Sequence, residues 1–247
     1  MARLRADVLL VRRGLATHAD EAQRRILAGR VFSGQTRIAT AGELVDDGAP
    51  LEVRAERTFV SRGGDKLCAA IAELAVPVGG RVCLDAGCST GGFTDCLLQR
   101  GARLVHAVDV GYGQLAWSLR TDERVRVHER TNVRHLSPDI LEPRPDLLVA
   151  DLSFISLRAV LPALVALVDG PSFDLVLLVK PQFELERDAV AGGVVRDPAL
   201  HERAVELVIG AARPLGLVCR GRATSVLLGP KGNRELFVWL GPAAVRA

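Results

Sequence analysis

The chain is poor in lysine. Of its 32 basic side chains only Lys66, Lys180 and Lys231 are lysine, and the other 29 are arginine. It is also poor in rings: aromatic residues make up 4 %, against 49 % apolar residues overall. The core must therefore be built from Leu, Val and Ala. The five cysteines (Cys68, Cys83, Cys88, Cys96 and Cys219) are odd in number and form no C-x-x-C pair. That argues against a disulfide framework or a metal site. It fits small buried hydrophobes in a reducing cytoplasm. No stretch approaches the ~20 uninterrupted apolar residues of a membrane span. The nearest, LRAVLPALVALVDG, is short, contains a proline and reads as a core helix. The N-terminal MARLRADVLLVRRG has charges inside its apolar run and makes a poor signal peptide.

The charge that is present is unevenly placed. Residues 1–37 hold eight arginines against Asp7, Asp20 and Glu21, a local balance of +5, and the stretch up to Val60 is acidic. Residues 1–56 read as a small domain. ADVLLVRRG is a short amphipathic helix stopped by Gly14. HADEAQRRILAGR is a second helix with Ala22, Ile26 and Leu27 on one face, closed by Gly29. RVFSG, GELV and APLEVR are short strands between Gly and Pro. Arg3, Arg5, Arg12, Arg13, Arg24, Arg25 and Arg30 are candidate contacts to a phosphate backbone, the alternative being a solvated helix face. RTFVSRGG, residues 57–64, reads as a linker.

From 65 to 247 apolar strands alternate with helices: RVCLDAG, LVHAVDVG, VRVHERTN, DLLVADLSF and FDLVLLVKPQF are strands one to five. FTDCLLQRG, SLRAVLPALVALV and HERAVELVIGAARPLG are helices. ATSVLLG and ELFVWL close the chain as two strands joined by PKGNR, a loop short enough to require antiparallel pairing. The pattern predicts an α/β fold with a mostly parallel, doubly wound sheet.

LDAGCSTGGFT follows the first strand and opens a helix. Its glycines let backbone approach a ligand, but the spacing is not G-x-G-x-x-G. Asp-x-Gly followed by a glycine pair is the pattern of S-adenosylmethionine-dependent methyltransferases. Asp109 ends the second strand, where an acid accepts the ribose hydroxyls of a nucleoside. Asp151 and Lys180 end the fourth and fifth strands, at the edge where open α/β sheets bind ligands. The fourth strand is followed by DLSF. It lacks the Asn/Asp-Pro-Pro-aromatic run that accompanies methylation of base amino groups, and the Pro-Cys pair of cysteine-nucleophile enzymes. Two lysines with an Asp and a Glu in one fold suggest methyl transfer to a hydroxyl, which needs a base. An ordinary lysine holds its proton at neutral pH; a second ammonium nearby and partial burial favour losing it. Arginine cannot serve, because its proton does not leave. Lys66 and Glu235 complete a set of two amines and two carboxylates with Lys180 and Asp151. Lys231, in a glycine-rich turn, reads as solvated.

With these residues in hand the chain resembles the TlyA-type ribosomal RNA 2′-O-methyltransferases, often labelled haemolysin A, whose catalytic domain is FtsJ/RrmJ-like. The resemblance rests on FVSRGGDKL (Phe59–Leu67), LDAGCSTGGFTD (Leu84–Asp95), VDVGYGQL (Val108–Leu115), DLSFISL (Asp151–Leu157), VKPQFE (Val179–Glu184) and GNRE (Gly232–Glu235), in order along nearly the whole chain. It implies a Rossmann-like methyltransferase domain. It also implies a tetrad of Lys66, Asp151, Lys180 and Glu235, with Lys180 as proton acceptor. Cofactor contacts follow at Gly91, Phe93, Asp109 and Asp151, with Asp85, Gly87, Ser89 and Gly92 in the same loop. Asn132 stands where relatives carry an acid facing adenine. The first domain resembles the RNA-binding domain of ribosomal protein S-four. Where that domain has Ser-Arg before its second helix this chain has His18-Ala19, a change expected to lose a cap and a phosphate contact. Its Val-x-Val-Asn-Gly strand is here the shorter Val31–Gly34. The expected substrate is a ribose hydroxyl, of cytidine, in ribosomal RNA or ribosomal subunits. The cofactor is S-adenosylmethionine, and neither metal nor membrane is required. A non-catalytic RNA-binding module and a membrane-damaging haemolysin are the alternatives.

Overall fold

Among the described residues the apolar side chains gather into three buried clusters, one within residues 6–45 and one on each face of a central sheet. The structure is a computed structural model and describes residues 3–54, 58–170 and 172–243. The chain divides into two compact units, Met1–Arg57 and Thr58–Ala247.

The first unit runs β1 (Arg3–Arg5), α1 (Ala6–Arg12), α2 (Ala19–Leu27), β2 (Val31–Ser33), β3 (Thr36–Arg37), β4 (Leu44–Asp46) and β5 (Leu51–Val53). β1 pairs with β4, and β3, β2 and β5 form a second antiparallel sheet. Ala6, Leu9 and Leu10 of α1 meet Ala22 and Ile26 of α2 in the core, the spacing of one helix face. Leu27 does not belong to that face: it is 80 % exposed, since it stands one residue, about 100° of helix, beyond Ile26. His18 does not lose the cap either. Its Nδ1 accepts the backbone N–H of Glu21 at 3.3 Å, and Glu21 Oε2 accepts from the backbone N–H of Thr17 at 2.7 Å. Glu21 thus reaches back to the amide one residue before the N-cap, a variant of the capping box. The Thr17 hydroxyl and amide hold the Glu21 carboxyl down at about 2.

The second unit begins before the expected domain start. Arg57, the first residue of the expected linker, lies outside the described residues, but Thr58–Gly64 is built into the unit. Phe59 is buried against Gly64, where any Cβ would overlap its ring. The Val60 N–H donates to Asp95 at 2.8 Å. Helix α3 starts at Arg62 and ends at Leu74. After it come β6 (Val82–Ala86), α4 (Gly92–Gln99), β7 (Leu104–Val108), α5 (Trp117–Arg120), β8 (Val125–His128), β9 (Leu147–Ala150), α6 (Leu157–Leu167), β10 (Asp174–Val179), α7 (Pro181–Glu184), α8 (Pro198–Ala212), β11 (Leu217–Thr224) and β12 (Leu236–Pro242). The seven-stranded sheet has the order β11-β12-β10-β9-β6-β7-β8. Only β12 runs antiparallel to its neighbours; β8, β7, β6, β9 and β10 are parallel.

Alternate strand residues face opposite layers. Leu84, Leu148, Leu175 and Leu177 pack under α6 and α8, while Cys83, Leu147, Val149 and Val176 pack under α3 and α4. Each such fully buried Leu contributes roughly 1.5–3 kcal/mol. The five cysteines are free, and burial pushes the thiols of Cys83, Cys88 and Cys96 up, as suits hydrophobes. One strand lies elsewhere than ATSVLLG: β11 occupies Leu217–Thr224 instead. It is an edge strand with alternating exposure, and its arginines hid it. Arg222 reaches Glu202 and Glu206 of α8, and Gly221 leaves room for Leu74.

Candidate functional site

Sheet register brings the expected residues to one edge. Ala86 pairs with Val108 and with Ala150, so Gly87, Asp109 and Asp151 follow at the same level on three adjacent strands. Val179 pairs with Leu236 of the antiparallel β12. Lys180, leaving β10, and Glu235, entering β12, are therefore neighbours although 55 positions apart in sequence. Lys66 reaches the same edge from the first turns of α3.

Two clefts open there. The smaller, about 330 Å³, is lined by Lys66, Asp151, Ser153, Lys180 and Glu235 together with Arg62, Gly92 and Phe93. Lys66 Nζ lies 2.5 Å from Glu235 Oε2. Lys180 Nζ donates to Ser153 Oγ at 2.7 Å and lies 2.6 Å from Asp151 Oδ1, an ion pair at an angle outside hydrogen-bond geometry. Both lysines are 8 % exposed and Glu235 is wholly buried. Among the described residues Glu235 Oε1 has no donor, and it faces Gly229, where a Cβ would sit on the carboxylate. Buried charges persist only when paired, and here each amine has its own carboxylate.

The larger cleft, about 500 Å³, is lined by Gly87, Ser89, Asp109, Gln114, Asn132, Arg134 and Asp151, with Val108, Val110, Val133, Leu152 and Ile155 as apolar wall. Gly87, Ser89, Asp151 and Ser153 belong to both clefts. The Asp109 carboxylate accepts from the backbone N–H groups of Ser89 at 2.8 Å and Gly111 at 2.7 Å. It thereby ties the glycine loop to the end of β7 and keeps further lone pairs for hydroxyls. Gly87 has φ +85 and passes Asp151 so closely that a Cβ would meet its carbonyl oxygen at 2.7 Å. An apolar slot with a carboxylate at its strand end suits a nucleoside bearing a charged arm.

Four expected cofactor residues stand away from the larger cleft. Gly92 and Phe93 line the smaller one. Gly92 admits α3 against α4, because a Cβ there would lie 2.2 Å from Ser61 Oγ. Gly91 lines neither; its φ of +95 starts α4, and Leu115 and Leu119 close over it. Asp85 also lines neither. It is wholly buried beneath the loop, with Oδ2 accepting from Thr94 Oγ1 at 2.7 Å and Oδ1 lacking a donor among the described residues. Burial pushes its carboxyl from 3.8 up to about 7. Between those two values the folded state holds a proton that the unfolded chain releases, so this group's contribution to stability is lost as pH rises from about 4 to about 7. Asp85→Asn is expected to remove that dependence. Its melting temperature should gain on the wild type as pH rises from about 4 to about 7 and then level off, and a constant difference over that window would contradict the assignment.

Residues that sequence reasoning passed over support the lysines. Ser153 holds Lys180. Glu184, buried at the end of KPQFE, accepts from the Ser156 hydroxyl at 2.6 Å and the Leu157 N–H at 2.7 Å. It thus caps α6 and ties the segment after Lys180 to the one after Asp151. An acid three residues beyond the proline was the available signal. In the small unit many arginines are engaged locally. Arg3 and Arg13 donate to backbone carbonyls, as Arg30 does to Arg54. Arg5, Arg12 and Arg25 pair with Asp7, Asp47 and Glu21. Arg24, beside them on α2, lines a shallow pocket with Arg25 and Arg30. The Arg12 side chain stays 62 % exposed while paired, so such ion pairs are weak and exchangeable.

The chain is similar to known proteins along nearly its whole length. The family model described as FtsJ-like methyltransferase matches residues 59–242. The chain is 52 % identical to the 16S/23S rRNA (cytidine-2′-O)-methyltransferase TlyA of Mycobacterium tuberculosis, over 99 % of this chain and 92 % of that protein. It is 37 % identical to hemolysin A of Brachyspira hyodysenteriae, over 94 % of this chain and 97 % of that one. A solved structure of a hemolysin candidate from Streptococcus thermophilus shares 41 % identity. It superposes with a TM-score of 0.75 over 99 % of this chain and 90 % of that chain.

Proposed function

The chain belongs to the FtsJ-like methyltransferase family, and on that premise we propose that it methylates a ribose 2′-hydroxyl of ribosomal RNA, at cytidine, from S-adenosylmethionine. The observation that carries the reading is the junction of the two clefts. Four residues line both, so a group bound in the larger is presented to the amines of the smaller.

The residues present suit S-adenosylmethionine. Asp109 would receive the ribose hydroxyls, Asn132 and the apolar wall the base, and Gly87, Ser89 and Asp151 the amino-acid arm. When bound, the cofactor supplies a methyl group on a sulfonium, a leaving group that needs no further activation. The protein must then position a hydroxyl and remove its proton. Lys180 performs the second task. Its amine takes the proton as the oxygen forms its bond to carbon, and the resulting ammonium is stabilised by Asp151 and Ser153. The Lys66–Glu235 pair lines the same cleft and forms the wall against which the ribose is held. Holding oxygen and methyl in line accounts for much of the rate.

The arginines of the first unit give RNA a cationic surface, with Arg24 and the exposed Arg12 as natural phosphate contacts. Such a reaction places the enzyme in the cytoplasm with its ribosomal substrate. The test is transfer of labelled methyl from the cofactor to purified ribosomal RNA or subunits. Label is expected in the RNA; failure to label either would overturn the reading.

A further inference from the structure

The tetrad takes up two of the chain's three lysines. The third lies on the loop that carries Glu235. Lys231, Arg196 and Arg234 line one pocket of about 330 Å³ with Val195, His201 and Leu228. All three cations are exposed, and among the described residues none of them has a carboxylate partner. Several other arginines of this unit are paired, such as Arg81, Arg120, Arg158 and Arg220.

The pocket is built. Buried Asn233 donates to Gly193 O at 2.8 Å and accepts from the Val195 N–H at 2.9 Å. It fixes the 193–196 loop to the 231–234 loop. His201 joins through Val195 O at 3.0 Å. Lys231 adopts φ +61, ψ 11, a left-handed conformation that glycine takes freely and lysine does not. Its Nζ lies 3.7 Å from where a Gly193 Cβ would stand, so the ammonium spans the two loops. A strained backbone kept at a lysine marks the ammonium as the feature in use.

We propose that this pocket binds a backbone phosphate of the RNA beside the target nucleotide, steadying the strand as it enters the tetrad cleft. The inference rests on the RNA reading above. Glu235 follows Arg234 directly, so a phosphate held here fixes the RNA relative to the tetrad through one rigid loop. Phosphate contacts position a nucleic acid without reading sequence, and each contributes roughly 0.7–0.9 to the slope of log affinity against log salt.

The test compares wild type with Lys231→Gly, Lys231→Arg and the double variant Lys231→Gly/Arg234→Gln, on purified ribosomal RNA. Lys231→Gly removes the charge and the backbone strain together, so its melting temperature should hold or rise while KM for RNA rises about fivefold near 0.1 M salt. The double variant should lower the salt slope by about 1.5, with kcat and cofactor affinity retained, and Lys231→Arg should restore RNA affinity. An RNA KM and salt slope unchanged in the double variant, beside an active wild type, would overturn the pocket. Wild type unable to methylate RNA would instead overturn the parent reading.

Discussion

Lys180→Arg is expected to bind cofactor normally and to lose methyl transfer by about 10²–10⁴-fold, the usual contribution of a positioned base. The substitution keeps the positive charge beside Asp151 and Ser153. What it removes is the ability to give up a proton, since guanidinium remains charged at any working pH. The cofactor slot should be little affected: Lys180 lines the tetrad cleft and not the larger one. Calorimetry for cofactor affinity and single-turnover methylation for chemistry separate the two effects. Turnover within tenfold of wild type would mean that Lys180 does not take the proton.

Glu235→Ala is expected to destabilise the fold by about 3–5 kcal/mol, as removal of one partner from a buried ion pair does. It leaves the Lys66 ammonium, 8 % exposed, without its carboxylate at 2.5 Å. The variant would also be inactive, which alone cannot separate structure from chemistry. The double change Lys66→Met/Glu235→Met makes the separation. It fills similar volume without charge and is expected to recover most of the stability, yet to transfer no methyl. Denaturant unfolding and methylation assays on the three proteins check this. An active double variant would show that the pair is scaffold only.

Much of this was legible in the sequence, and the particular misses are instructive. The parallel strands showed as continuous apolar runs because both faces are covered. Their carboxyl ends located Asp109, Asp151 and Lys180. Antiparallel pairing of the last strands was also readable, but the insertion of β12 between β10 and β11 was not, and that insertion sets Glu235 beside Lys180. A glycine loop names its own residues without saying which face a ligand. Hence Asp85 is buried beneath it, Gly91 starts a helix, and Gly92 and Phe93 face the tetrad. The cap at His18 was hidden because an imidazole nitrogen there does the work usually given to a hydroxyl. Among the described residues no helix is long and apolar enough to cross a membrane; family membership decides for the enzyme over a non-catalytic module. The label haemolysin belongs to relatives and gains no support from this site.

The central claim is that the oxygen of a ribose, and not a base, receives the methyl. Ribosomal RNA methylated by the wild-type enzyme can be digested with nuclease and its nucleosides and alkali-resistant dinucleotides identified by mass spectrometry. The account predicts 2′-O-methylcytidine, protected from alkaline cleavage at its 3′ phosphate, and no such product with Lys180→Arg. A methyl found on a nucleobase, or undiminished ribose methylation by the arginine variant, would contradict it.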